Sequence, residues 1–158
     1  MSKFRKKQGG GTPAISTASL PDIVFMLLFF FMVTTVMREI TLKVENAKPF
    51  ATEIKKLERK SLVTYIYVGK PKAAYVSQVG TEPRIQLNDA FARVKELQQF
   101  VITEREAINE AERPLMTVSI KADEQVKMGL VTDIKQELRK ANSLKINYST
   151  RKGDVYED

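Results

Sequence analysis

The chain has 158 residues, with 26 lysines and arginines against 19 aspartates and glutamates, a net charge of +7. That length holds one ordinary domain with an appended segment, and 43% hydrophobic with 28% charged residues is a globular composition. Cysteine and histidine are both absent, which excludes disulfide frameworks, Cys- or His-based metal sites, thiol catalysis and histidine acid–base chemistry. Lys3, Arg5, Lys6 and Lys7 crowd the N-terminal tip, and the remaining positive charge is spread thinly. There is no arginine stripe and no interleaving of aromatic with basic residues, so the pattern is not that of a nucleic-acid-binding surface.

Gly9, Gly10, Gly11 and Pro13 separate the basic tip from an apolar run, IVFMLLFFFMVTTVM, from Ile23 to Met37. As a helix this run measures about 22 Å, short of the roughly 30 Å of a bilayer core. Extension forward meets Arg38 and Glu39; extension backward meets only one charge, Asp22. The predicted membrane helix is therefore 18–37. A buried core helix of a soluble protein is possible at this length, but the run is apolar on every face and has no polar stripe, which favours a membrane span. A cleaved signal peptide would need a small-residue site where Thr35-Val36-Met37-Arg38-Glu39 stands. By the positive-inside rule, residues 1–17 form a cytoplasmic tail and the rest lies outside.

Pro21-Asp22 is the most informative pair. Proline suits a first helical turn, Thr17 or Ser19 can cap it, and the helix dipole favours a negative charge there. Asp22 as a plain helix-start residue at headgroup level is one reading. The other is a proton carrier, because desolvation in hydrocarbon disfavours the charged carboxylate and such groups face a protein interior or a wet cavity. The second reading requires partner helices. Ser19, Phe25, Met26 and Phe29 share the face of Asp22 by helical spacing and, with Pro21, read as packing residues around it. Thr34 and Thr35 read as bonding their own backbone.

Residues 38–61 are charged and mixed, and read as a linker in which ATEIKKLERK (51–60) can form a short helix. LVTYIYV (62–68) is a strand, Gly69 to Lys72 a turn, and AAYVSQV (73–79) a returning strand. Asn88 is placed to cap a helix over 89–112, with Phe91, Val94, Leu97, Val101 and Ile108 inward. LMTVSIKA (115–122) alternates, with Met116, Val118 and Ile120 on one face. A helix over 129–141 buries Leu130, Ile134 and Leu138 and stops at Asn142. LKINYST (144–150) is a last strand, and the tail 151–158 has no apolar pattern. The expected class is α+β, a two-layer β-β-α-β-α-β domain over 62–150. There is no phosphate loop, no metal-ligand spacing and no nucleophile–base pair. Asp123 and Glu124 after a strand read as a turn rather than as catalytic acids, so the domain is expected to bind or dimerise and not to be an enzyme.

A basic tip, one membrane helix opening with aspartate and a small outer α+β domain together resemble the ExbD/TolR family of proton-driven envelope-motor subunits. ISTASLPDIVFMLLFFFMVTT (15–35) is similar to the family's membrane signature. VSIKADEQVKMGLVTDIKQELRKANSLKINYST (118–150) is similar to its strand–helix–strand end. The resemblance is closest to ExbD. It implies a homodimer in the bacterial inner membrane with a periplasmic C-terminal domain. A multi-span ring of the ExbB/TolQ type encloses the helices, and a TonB- or TolA-like protein receives the work. Asp22 is then the proton carrier, with protons as coupling ion and no cofactor or metal. Proline before the aspartate departs from the apolar residue usual in the family, and a helix over 89–112 is long for it. The resemblance implies a motor that energises TonB-dependent outer-membrane transport; a TolR-type envelope-maintenance motor, a flagellar-type stator subunit, a passive anchored binding module and an anchored enzyme are the rivals.

Overall fold

A computed structural model describes residues 10–11, 17–35 and 39–153. The basic tip, Gly9, Pro13, the last two residues of the expected span (36 and 37), Arg38 and the tail from 154 lie outside the described residues. The chain divides into two compact units, 1–39 and 40–158. The first holds helix α1, Ser19–Thr35.

The second is α+β with a mixed sheet. Its elements are β1 (Phe50–Ala51), β2 (Val63–Gly69), α2 (Ala73–Val79), β3 (Arg84–Leu87), β4 (Ala90–Ala92), α3 (Leu97–Ala107), β5 (Thr117–Ala122), α4 (Met128–Lys140), β6 (Ile146–Tyr148) and β7 (Arg151–Lys152). The main sheet runs β4-β3-β2-β5-β6. Its central pair, β2 and β5, is parallel from Val63↔Thr117 to Val68↔Ala122, and β6 continues it in parallel. β3 and β4 are antiparallel additions at the other edge. Parallel neighbours need crossovers, which here carry α3 and α4.

That register puts Ile66 and Val68 beside Val118 and Ile120 on one face, where Leu97 and Val101 of α3 and Ile134 and Leu138 of α4 close the core. The inward face expected of β5 (Met116, Val118, Ile120) is buried. α4 also fits its expected pattern, except that Val131 is buried and Leu130 packs only partly. Its stop is a left-handed cap: Asn142 has φ 55, its N–H donates to the Arg139 carbonyl, and the Ser143 N–H donates to Leu138 O. These are the two bonds of a Schellman ending. Leu138→Ala removes a fully buried side chain between α4 and the sheet. It is expected to lower stability by about 2–5 kcal/mol, while Leu144→Ala, at 71% exposed, stays within about 0.5 kcal/mol. Urea unfolding of both variants checks this.

Five expectations are corrected. Residues 73–79 form helix α2, not a strand; the partner of β2 is β3, and Gly80 at φ 82 closes α2 with its N–H on Val76 O. Asn88 caps no helix. It is the first residue of a two-residue hairpin turn (φ 49), with Leu87 paired to Ala90. The helix expected over 89–112 is therefore β4 followed by α3, which begins only at Leu97 and ends at Ala107 because Ile108 is extended. Finally, 41–49 is not a free linker, and Arg151–Lys152 of the expected tail pairs in parallel with Phe50–Ala51.

Candidate functional site

Helix α1 spans 17 residues, SLPDIVFMLLFFFMVTT, about 26 Å at 1.5 Å per residue. No helix among the described residues is long and apolar enough to cross a membrane. Every large apolar side chain from Leu20 to Val33 is 52–66% exposed, on all sides of the helix. The helix therefore has no polar stripe. Asp22 lies in the first turn and is the one ionisable residue of the helix. At 100° per residue Ser19, Phe25, Met26 and Phe29 fall within about 60° of it, and Pro21 sits about 100° away. The helix thus brings five of the six expected residues to one face, all of them exposed. Thr34 Oγ1 donates to Phe30 O at 2.9 Å and to Phe31 O at 3.1 Å, bonding its own backbone as expected.

The chain after α1 forms a strap against the sheet. Gln86 of β3 is fully buried and grips it with its carboxamide. Gln86 Oε1 accepts the Lys43 N–H, and Nε2 donates to Thr41 O and to Asn88 O, each at 2.7 Å. Val44 is fully buried and bridges Pro71, and the Glu45 N–H donates to Lys70 O at 2.7 Å. Further on, Asn46 Nδ2 donates to Lys121 O at 2.6 Å, and Asp123 Oδ1 accepts the Ala47 N–H at 2.7 Å. Asp123 Oδ2 accepts the Gln125 N–H at 3.2 Å, so the strand-end acid organises a turn and pins the strap. The strap has a sequence signal of its own that the linker reading misses: Ile40, Leu42 and Val44 alternate with Thr41, Lys43 and Glu45, the period of a strand.

The strap crosses β2 at Gly69, where an added Cβ would overlap the Glu45 carbonyl oxygen. Gly69→Val is expected to expel residues 43–47 while leaving the core intact, at about 1–3 kcal/mol. Faster amide exchange at Glu45 with unchanged exchange at Ile120 is the checking measurement. On the sheet face away from the helices, the Lys121 ammonium sits 4.1 Å from the Tyr65 ring centroid and 5.1 Å from that of Tyr67. Burial pushes Lys121 below the usual lysine range, and the Lys48 charge adds to this. Burial, then the neighbouring Tyr65, raises the Tyr67 hydroxyl above the usual tyrosine range. No cluster of acidic residues able to hold a metal occurs among the described residues.

The family profile described as "Biopolymer transport protein ExbD/TolR" matches residues 9–153, nearly the whole chain. The chain belongs to the ExbD/TolR family. No curated protein sequence matches it. Family membership makes the chain a subunit of an energising motor in biopolymer transport, of a class that is not enzymatic. It implies association with ExbB/TolQ-type partners and with TonB or TolA, and the inner membrane as the family's location. It does not separate the ExbD from the TolR branch.

Proposed function

We propose that this chain is the proton-harvesting subunit of an inner-membrane motor of the ExbB/ExbD type that energises TonB-dependent transport. One observation carries the reading: a single carboxylate, Asp22, opens a helix with no other charge and with its apolar residues uncovered on every face. In this reading the helix lengthens over 18–37 to span the bilayer, with the N-terminus cytoplasmic and the 40–153 domain periplasmic. A ring of partner helices, with a second copy of this chain, shields Asp22 from lipid. Asp22 takes up a proton from one side and gives it to the other. One elementary charge moving through 100 mV supplies about 2.3 kcal/mol, and the partner ring and the strap convert it into movement. Ser19, Pro21, Phe25, Met26 and Phe29 pack around the carboxylate and set its position. The outer domain dimerises and passes the work to the transducing partner.

The test is Asp22→Asn as the only copy in the cell, read out twice. Loss of proton-motive-force-dependent uptake with the ring complex intact supports the proposal. Normal uptake with new sensitivity to detergent moves the chain to a TolR-type envelope-maintenance motor. No change in either leaves a passive single-span anchor.

A further inference from the structure

A cleft of about 440 Å³ opens at the end of the sheet where β5 begins, between the residues that follow α3 and the turn from α4 into β6. Arg105, Arg113 and Lys145 line it, and no carboxylate does. Glu112, the acid beside Arg113, pairs instead with Arg59 at 3.6 Å. None of the three cations has a carboxylate partner among the described residues. Three features set the cleft apart from a solvated charged face.

The first is that backbone holds the guanidinium groups in place. Arg105 Nη2 donates to Asn142 O at 3.0 Å. Arg113 Nε donates to Ile108 O at 3.2 Å, and its Nη2 to Glu106 O at 3.4 Å. Each guanidinium has more N–H donors than these bonds use, and little side-chain freedom is left to lose on binding. The second is Ser143. It is 4% exposed and lines the cleft, yet its hydroxyl makes no hydrogen bond among the described residues. A buried hydroxyl without a partner costs free energy that an acceptor in the cleft would relieve. The third is the wall. Met116 and the exposed Leu144 line the same cleft, so apolar contact lies beside the charges. A volume of about 440 Å³ falls in the range of small-molecule sites, roughly 300–1,000 Å³, and holds more than a bare ion. Capping of backbone carbonyls accounts for one edge of each arginine. It accounts neither for Lys145 nor for the Ser143 hydroxyl.

We propose that this cleft binds a phosphate ester, with the phosphate on Arg105, Arg113, Ser143 and Lys145 and the organic body against Met116 and Leu144. Three unmatched positive charges suit a dianion, and the planar fork of arginine matches phosphate oxygens two at a time. The ester is either a small soluble phosphate or the headgroup of a phospholipid, and the chemistry of recognition is the same for both. The site lies wholly within the 40–153 domain. It stands independently of whether α1 spans a membrane and whether Asp22 carries protons.

The test follows the amide signals of the full chain, in an uncharged detergent and phosphate-free buffer, as glycerol phosphate is added. The expected result is saturable shifts at Asn142, Ser143, Leu144 and Lys145 with a Kd of about 1 mM or below. Binding is expected to weaken about tenfold in Lys145→Glu and in Ser143→Ala. Both variants keep the arginine caps. The Lys145 side chain is exposed and Ser143→Ala removes only a hydroxyl, so the remaining amide signals are expected to stay in place. Shifts at the same four amides with bicelles carrying phosphatidylglycerol, absent with glycerol phosphate and with phosphatidylcholine alone, support the proposal with a lipid headgroup as the source. No response to either probe overturns it. So does an equal response to malonate, a dicarboxylate, which would make the cleft a general anion site. Shifts that neither substitution weakens also overturn it.

Discussion

Cells whose only copy carries Asp22→Asn are expected to fall to the uptake of a deletion strain, a drop of about two orders of magnitude or more. Asparagine keeps the volume and polarity of aspartate and leaves the first turn of α1 undisturbed, but it cannot bind and release a proton. No other ionisable group in α1 can take over. Assembly with the ring is expected to persist, because a neutral side chain is easier to bury between helices than a charged one. Asp22→Glu separates chemistry from shape. It keeps the acid but adds a methylene beside Phe25 and Met26, so partial activity is expected. Equal loss in both variants with intact complexes would mean that position rather than proton transfer decides. Full activity in Asp22→Asn would remove Asp22 from the mechanism.

The second large effect is expected from Gln86→Leu. Leucine has nearly the same size, so the sheet can close around it, but three hydrogen bonds of 2.7 Å vanish together. Asn88 is exposed in the hairpin turn, so its carbonyl can take water in place of the lost donor. Thr41 and Lys43 can regain water by lifting off. The strap amides that depend on this contact, Lys43, Glu45 and the Lys72 N–H on Lys43 O, are therefore expected to exchange about ten- to hundredfold faster, equivalent to about 1.4–2.8 kcal/mol. Amides of β5 are expected to change little. Gln86→Glu should act in the same direction, since a carboxylate still accepts from Lys43 N–H but repels Thr41 O and Asn88 O. Unaltered exchange at Lys43 in both variants would show that Val44 and Asp123 hold the strap without the clamp.

Legibility in the sequence depends on how much of each signal is local. β5 and α4 carry their own periodicity in Val118-Ile120 and Ile134-Leu138, and the Asn142 cap is written into a single residue. The segment 73–79 misleads because Tyr75, Val76 and Val79 are strand-favouring residues. The helix there is set by Gly80 and by competition from β3, which sits on the neighbouring edge of β2. Asn88 is ambiguous on chemistry alone: the same short side chain caps helices and tolerates a left-handed turn, and only the pairing of Leu87 with Ala90 decides. The strap is hidden by its charges, because Lys43 and Glu45 look like linker residues until Val44 is seen beneath them. At α1, the face shared by Asp22, Phe25, Met26 and Phe29 is fully legible, since helical spacing alone fixes it.

The strap has a mechanical meaning beyond its hydrogen bonds. It joins the chain near the end of α1 to the sheet through residues 41–49, and immediately behind it the β1–β7 pair ties Phe50 to Arg151. Tension on the N-terminal side would reach the contacts singly, at Gln86, then Val44, then Asp123. Nine residues released in that order would let out about 30 Å of extended chain before the load arrived at β1–β7. Stripping the strap would thus move the point at which the chain leaves the folded domain from Thr41 to Phe50, with the five-stranded sheet expected to stay intact.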